Sequence, residues 1–148
     1  MSRIERFEDL VAWQKARRYA CLSHGLTQQP KFARDFKLRD QIWSAAISIS
    51  SNIAEGFERN RMREFHQHLS VAKASCGEVR SQLYLAFDVG HIDEQTLNET
   101  LQQGIELGRI VGGLRRSVEA QIEKAEKKTK LRTQDSGLRT ESGCSPRI

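Results

Sequence analysis

The strongest constraint in this sequence is one run of apolar residues at heptad spacing. Phe65, Leu69, Ala72, Cys76, Val79, Leu83 and Ala86 step by 4, 3, 4, 3, 4 and 3. A stripe of that period stays on one side of an α-helix, whereas a strand sends successive side chains to opposite faces. The spacing predicts a helix from about 61 to 89, with Gly90 as the glycine just past its end. A helix with a single apolar stripe is stable in water only when the stripe is covered, so the chain needs partner helices.

Three further segments qualify. Leu10, Trp13, Ala16 and Ala20 share a face of a helix over about 9 to 26, whose acidic start at Glu8 and Asp9 suits the helix dipole. Leu38, Ile42, Ala45, Ile49 and Asn52 step by 4, 3, 4 and 3 along a helix over about 36 to 55, with Gly56 as its natural stop. Asp93 caps a fourth helix running to about 126, with Leu97, Leu101, Leu107, Val111, Leu114, Val118 and Ile122 as its apolar residues. Gly104, Gly108 and Gly112 recur every four residues along it. Each costs about 1 kcal/mol against alanine, which points to close approach of a neighbouring helix. Residues 27–35, around Pro30, read as a connection. The expected architecture is all-α: an antiparallel up-down four-helix bundle over residues 1–126. From Lys127-Lys128-Thr129-Lys130 onward the chain is rich in Ser, Thr, Gly and Arg, and 127–148 reads as a disordered basic tail.

A chain of 148 residues builds one core without disulfides or metals. No apolar stretch approaches the roughly 18 residues of a membrane span, and the start of the chain lacks the apolar region of a secretory signal. Cys21, Cys76 and Cys144 are scattered and odd in number, which fits a reducing cytoplasm. There is no phosphate-binding loop, nucleophile elbow or Cys-x-x-Cys pair. Of the four histidines (His24, His66, His68 and His91), His66 and His68 point to opposite sides of a helix. Glu64 and His68 alone, without a Glu-x-x-His on a second helix, read as a surface ion pair rather than a metal site. Cys76 lies on the apolar seam and reads as buried and inert. No catalytic residue, metal site or cofactor is expected.

The formal net charge of +5 invites a nucleic-acid reading, but residues 1–126 hold 18 Lys+Arg against 17 Asp+Glu, and residues 127–148 hold 6 against 2. Within the body the local clusters are Lys15, Arg17 and Arg18; Arg34, Lys37 and Arg39; Arg59, Arg61 and Arg63; and Arg115 with Arg116. Each has acids nearby, so a solvated charged face competes with phosphate contact. No tryptophan or tyrosine interleaves them in the sequence as a stacking platform for single strands.

The segment Ser48-Ile49-Ser50-Ser51-Asn52-Ile53-Ala54-Glu55-Gly56-Phe57 closes the second helix. Asn52 and Glu55 share a face, and Asn52 continues the apolar seam, so its amide must find partners. The pair is expected to hold the helix end against its neighbours, with ligand contact as the lesser alternative. With Phe7-Glu8-Asp9-Leu10-Val11-Ala12-Trp13-Gln14-Lys15-Ala16, Leu38-Arg39-Asp40-Gln41-Ile42 and Glu64-Phe65 through Glu78, this segment resembles the bundle family of 23S rRNA intervening-sequence proteins and the accessory variability determinant (Avd-like) proteins of diversity-generating retroelements. The resemblance covers residues 7 to about 120, and Trp13, Asn52, Glu55 and Gly56 belong to its motif. Ser50 stands where many members carry proline. The resemblance implies a cytoplasmic bacterial protein that assembles as a homopentamer. In the retroelement branch it also implies nucleic-acid (RNA or DNA) binding beside a reverse transcriptase. The rRNA branch is named for where its gene lies. The resulting expectation is a non-catalytic, homo-oligomeric nucleic-acid-binding accessory factor. The competing reading is a protein-interaction oligomer with no nucleic-acid role.

Overall fold

The computed structural model describes residues 3–141, with side chains over 3–137. A 3-10 turn, Phe7–Asp9, leads into α1 (Val11–Thr27). The short α2 (Pro30–Arg34) precedes α3 (Phe36–Glu58), α4 (Met62–Asp88) and α5 (Glu94–Glu141). No strand occurs among the described residues. α3 packs on α1 and α4, and α5 closes the ring by packing on α4 and α1. Short connections make sequential neighbours antiparallel: Asn52 meets His68 while Ser48 meets Ser75, and His66 faces Glu119 while Ser70 meets Arg115.

The predicted seams form the core. Leu69, Ala72, Cys76, Val79, Leu83 and Ala86 are buried on α4, and Ile42, Ala45 and Ile49 on α3. They meet Leu10, Ala16 and Ala20 of the first segment and Leu97, Leu101, Leu107, Val111 and Val118 of α5. Burying a side chain of this size contributes about 1.5–3 kcal/mol, so these rows hold the four long helices together.

Some helix ends follow local chemistry. Glu8 and Asp9 do not open the first helix but lie in the 3-10 turn ahead of it, and α1 and α4 start without a side-chain cap. Gly90 (φ +82°) ends α4 in a Schellman arrangement, with His91 N–H donating to the Ala86 carbonyl and Gly90 N–H to that of Phe87. Asp93 Oδ1 accepts from the Thr96 N–H at 2.8 Å and caps α5. Gly56, by contrast, does not stop α3. The helix continues to Glu58, and Asn60 takes the left-handed turn at φ 54°. Gly56 is buried because a Cβ there would lie 2.5 Å from His68 Cβ and 3.0 Å from Phe65 Cδ2. It is a contact glycine, not a stop. Only Gly104 of the α5 stripe plays a similar part, against the Tyr19 hydroxyl, whereas Gly108 faces open space and Gly112 ordinary contacts.

The connection after α1 contains a helical turn that periodicity does not reveal. Pro30 opens α2, where its missing N–H is harmless, and Phe32 inserts fully into the core. Phe32 stacks on the His91 ring at 4.9 Å between centroids. His91 Nε2 donates to Asp35 Oδ2 at 2.8 Å, and Asp35 Oδ1 accepts from the Leu38 N–H at the start of α3. One aspartate thus caps α3 and ties it to the α4–α5 turn. Cys76 is buried on the seam, and burial pushes its thiol up to about 11, which leaves it inert.

The expected tail boundary moves. α5 does not end near 126 but runs on to Glu141, with residues 123–137 exposed. Low apolar content forbids a core contribution there, but Lys, Ala, Gln, Leu and Arg are good helix formers, so the segment continues the helix it is attached to. Residues 142–148, Cys144 among them, lie outside the described residues.

Two stability measurements test these assignments. Gly56→Ala should destabilise by about 1–3 kcal/mol through overpacking. Gly108→Ala should stabilise by up to about 1 kcal/mol, because only helix propensity changes there. Denaturant midpoints read both, and equal signs would refute the distinction. The second test is pH. The hydrogen bond from His91, then the Leu38 N–H, holds the Asp35 carboxyl below its ordinary range. A carboxyl whose folded pKa is depressed stabilises above its unfolded pKa, about 3.9, and loses that contribution as pH falls through the folded value. Melting temperatures below about pH 4 should therefore fall more steeply in the parent than in Asp35→Asn.

Candidate nucleic-acid interface

The structure sorts the predicted basic residues by what already holds them. Lys15 Nζ donates to Glu106 Oε1 at 2.7 Å and thereby holds that carboxyl below its usual range. Arg39 reaches Asp40 and the Ala33 carbonyl, both at 3.0 Å, and Arg59 pairs with Glu55 at 3.0 Å. Arg63 pairs with Glu126, and Arg115 Nε donates to Ser70 Oγ at 2.8 Å. These five side chains tie helices together or stabilise their own helix. Arg17, Arg18, Arg34, Lys37, Arg61 and Arg116 are exposed and have no acidic partner among the described residues.

Nor do the clusters merge. Arg34, Lys37 and Arg39 lie at the end of the bundle where α3 begins. Arg59, Arg61 and Arg63 lie at the opposite end, some 34 Å away along α3. Lys15, Arg17 and Arg18 lie along α1 between them. Fold topology, not sequence proximity, decides which charges are neighbours.

Two concentrations of charge do emerge. Residues 10–54, spanning α1, α2 and most of α3, hold seven Lys/Arg and only two Asp. Those two, Asp35 and Asp40, are bonded to His91 and Arg39. Residues 55–123 hold eight Lys/Arg against eleven Asp/Glu. The charge of the near-neutral body is therefore uneven: basic on α1, α2 and the first turn of α3, neutral along the rest of α3 to Ala54, and net acidic over residues 55–123. The second concentration is on the projecting part of α5. Lys124, Lys127, Lys128, Lys130 and Arg132 are all exposed, and the lone acid among residues 124–132, Glu126, is held by Arg63. From 127 to 141 this arm extends about 22 Å.

Of the motif residues, Asn52 and Gly56 lie in the α3–α4 contact. Asn52 Nδ2 donates to the Ser48 carbonyl at 2.8 Å and to Ser48 Oγ at 3.0 Å. Its Oδ1 accepts from His68 Nδ1 at 3.0 Å, and Ser75 Oγ donates to Ser48 Oγ at 2.9 Å. The chain of bonds runs across the α3–α4 contact, with His68 seated over Gly56. His68 is thus a partner of Asn52, not of Glu64. Glu55 faces solvent with Arg59 and stands outside this network. Trp13 packs edge-on against Phe7 at 5.1 Å with Arg17 over its ring. No cluster of three metal-ligating side chains occurs among the described residues. No helix among them is long and apolar enough to cross a membrane.

A family model for the 23S rRNA-intervening sequence protein matches residues 8–113. The chain belongs to that family. The bundle also resembles the crystal structure of a protein of unknown function from the S23 ribosomal protein family of Bacteroides thetaiotaomicron. The TM-score is 0.65 and the identity 18%, over 71% of this chain and 98% of that one. That likeness concerns the fold. No curated protein matches the sequence. In this member of the 23S rRNA-intervening sequence protein family, the basic arm of α5 lies beyond the family match.

Asn52→Ala should cost about 1–3 kcal/mol, because it strips partners from Ser48 and His68 at a half-buried contact. Glu55→Ala should change stability by less than about 0.5 kcal/mol, as an exposed pair contributes little. Chemical denaturation of the two variants checks the contrast.

Proposed function

We propose that this protein is a non-catalytic, self-associating bundle that binds nucleic acid as a cytoplasmic accessory factor, with the α5 arm as a principal phosphate contact. The observation that carries this reading is the localisation of charge. Residues 124–132 hold five exposed Lys/Arg and one paired acid, on the stretch of α5 that projects beyond the core. Phosphate neutralisation by such side chains releases counterions and needs no prebuilt pocket. Self-association would bring several arms together and multiply the effect. In the retroelement-type setting that the sequence resembles, the protein partner would be a reverse transcriptase.

A second reading has its own observation. From Gln41 to Ala54 no residue is charged, and Ile47 on α3 and Val71 on α4 are 40% and 48% exposed. A neutral, partly apolar outer face fits contact between protein chains, homopentamer included, without any nucleic acid. The two readings separate by experiment. Binding of a fluorescent structured RNA should weaken steeply with salt. Replacing Lys127, Lys128, Lys130 and Arg132 by Gln should lower the slope of log K against log salt by about 3, at roughly 0.7 to 0.9 per lost contact. Unchanged binding would exclude the arm. Absence of binding by the parent at low salt would favour the protein-interaction reading.

A further inference from the structure

The fold assembles an aromatic and cationic ladder that the sequence keeps apart. On α1, Trp13, Arg17 and His24 are separated by four and seven residues and share one face. On α3, Phe36, Arg39 and Trp43 do the same. The two faces meet along the α1–α3 seam, where the His24 and Trp43 rings are 4.7 Å apart. Each remaining aromatic carries a guanidinium: Arg17 Cζ lies 5.6 Å from the Trp13 ring centroid, and Arg39 Cζ lies 4.7 Å from that of Phe36. Phe36 is 64% exposed, although it gains nothing for the core there. Trp13 and Trp43 are half-buried, with an edge or face toward solvent, and Trp13 forms one wall of a shallow hollow of about 390 Å³ with Arg17, Arg18 and Cys21. From Phe36 through Trp43 and His24 to Trp13 the ladder covers about 27 Å, at 1.5 Å per helical residue. Nearby on α1, α2 and the start of α3, Arg17, Arg18, Arg34 and Lys37 are exposed without an acidic partner, whereas Lys15 and Arg39 are paired.

From this juxtaposition we infer that the α1–α3 seam is a binding surface for single-stranded nucleic acid, with bases stacking on Phe36, Trp43 and Trp13 and the phosphates running past Arg17 and its exposed neighbour Arg18. Aromatic faces accept any unpaired base, and cations beside them follow the backbone; the cations serve a single strand and a duplex alike, and the rings supply the discrimination. A guanidinium resting on an aromatic face occupies the place a base takes, and once displaced it meets the phosphate. Paired bases are stacked on each other and cannot use the rings, so duplexes should engage only the charges. This inference rests on the nucleic-acid reading above but places a different element, not the arm, at the bases.

The test uses the full chain and an oligouridylate labelled for anisotropy, with a duplex of equal length as control. The chain's two tryptophans both lie on the seam, so their emission reports on it directly. The single strand should quench that emission as it saturates the protein, and the duplex should not. Phe36→Ala, at an exposed position, should weaken single-strand binding by about fivefold or more and leave duplex binding unchanged. Arg17→Gln should weaken both. Binding of the single strand by anisotropy without a change in tryptophan emission, or undiminished in Phe36→Ala, overturns the seam while leaving the nucleic-acid reading intact. A lack of any binding by anisotropy overturns both.

Discussion

The close contact of α3 with α4 at Gly56 sets the rest of the molecule. The missing Cβ lets the His68 backbone come close enough for its imidazole to reach Asn52, and from there the bonds pass to Ser48 and Ser75. An apolar seam alone resists sliding weakly, because one heptad resembles the next. A glycine notch and a satisfied polar chain are acceptable in only one register. With α3 and α4 locked, the Asp35–His91 bond at the far end of the bundle becomes possible, and with it the seating of Phe32 and the start of α5.

This explains which parts of the fold were legible in the sequence. Leu69, Cys76 and Leu83 repeat at a fixed interval, and periodicity is a local property that survives without knowledge of partners. Gly90 and Asp93 signal by local backbone chemistry and are read correctly. Gly56 misleads because the same residue type serves two purposes, a left-handed stop and a close approach, and only the opposing helix distinguishes them. Phe32 was invisible for a related reason: five residues make too short a helix to show a period. Its one local sign was Pro30 at the first helical position.

The arm shows the opposite failure. Composition correctly reports that residues after 126 cannot build a core, but helix formation there needs only good propensity and an existing helix to extend. Nucleation is the costly step, and α5 has already taken it within the bundle. The same Lys and Arg residues that keep the segment out of the core are compatible with a helix. Held on a helix, they form a line of charge rather than a diffuse cloud.

Net charge hides the proposed surfaces more thoroughly than any motif could. A body with 18 cations and 17 anions looks indifferent to phosphate. The sum is small because the cations of α1, α2 and the start of α3 cancel arithmetically against the net acidic residues 55–123, not because charge is spread evenly. At physiological ionic strength the Debye length is about 8 Å, shorter than the thickness of two packed helices, so a ligand on one face feels little of the other. The relevant quantity for recognition is therefore the charge within reach of one surface. By that measure the same sequence contains two separate cationic surfaces, one rich in aromatics and one without them. An aromatic-free arm holds any polyanion, whereas rings between cations respond to unpaired bases. On the nucleic-acid reading proposed above, that chemical difference gives the two surfaces different parts in engaging one nucleic acid.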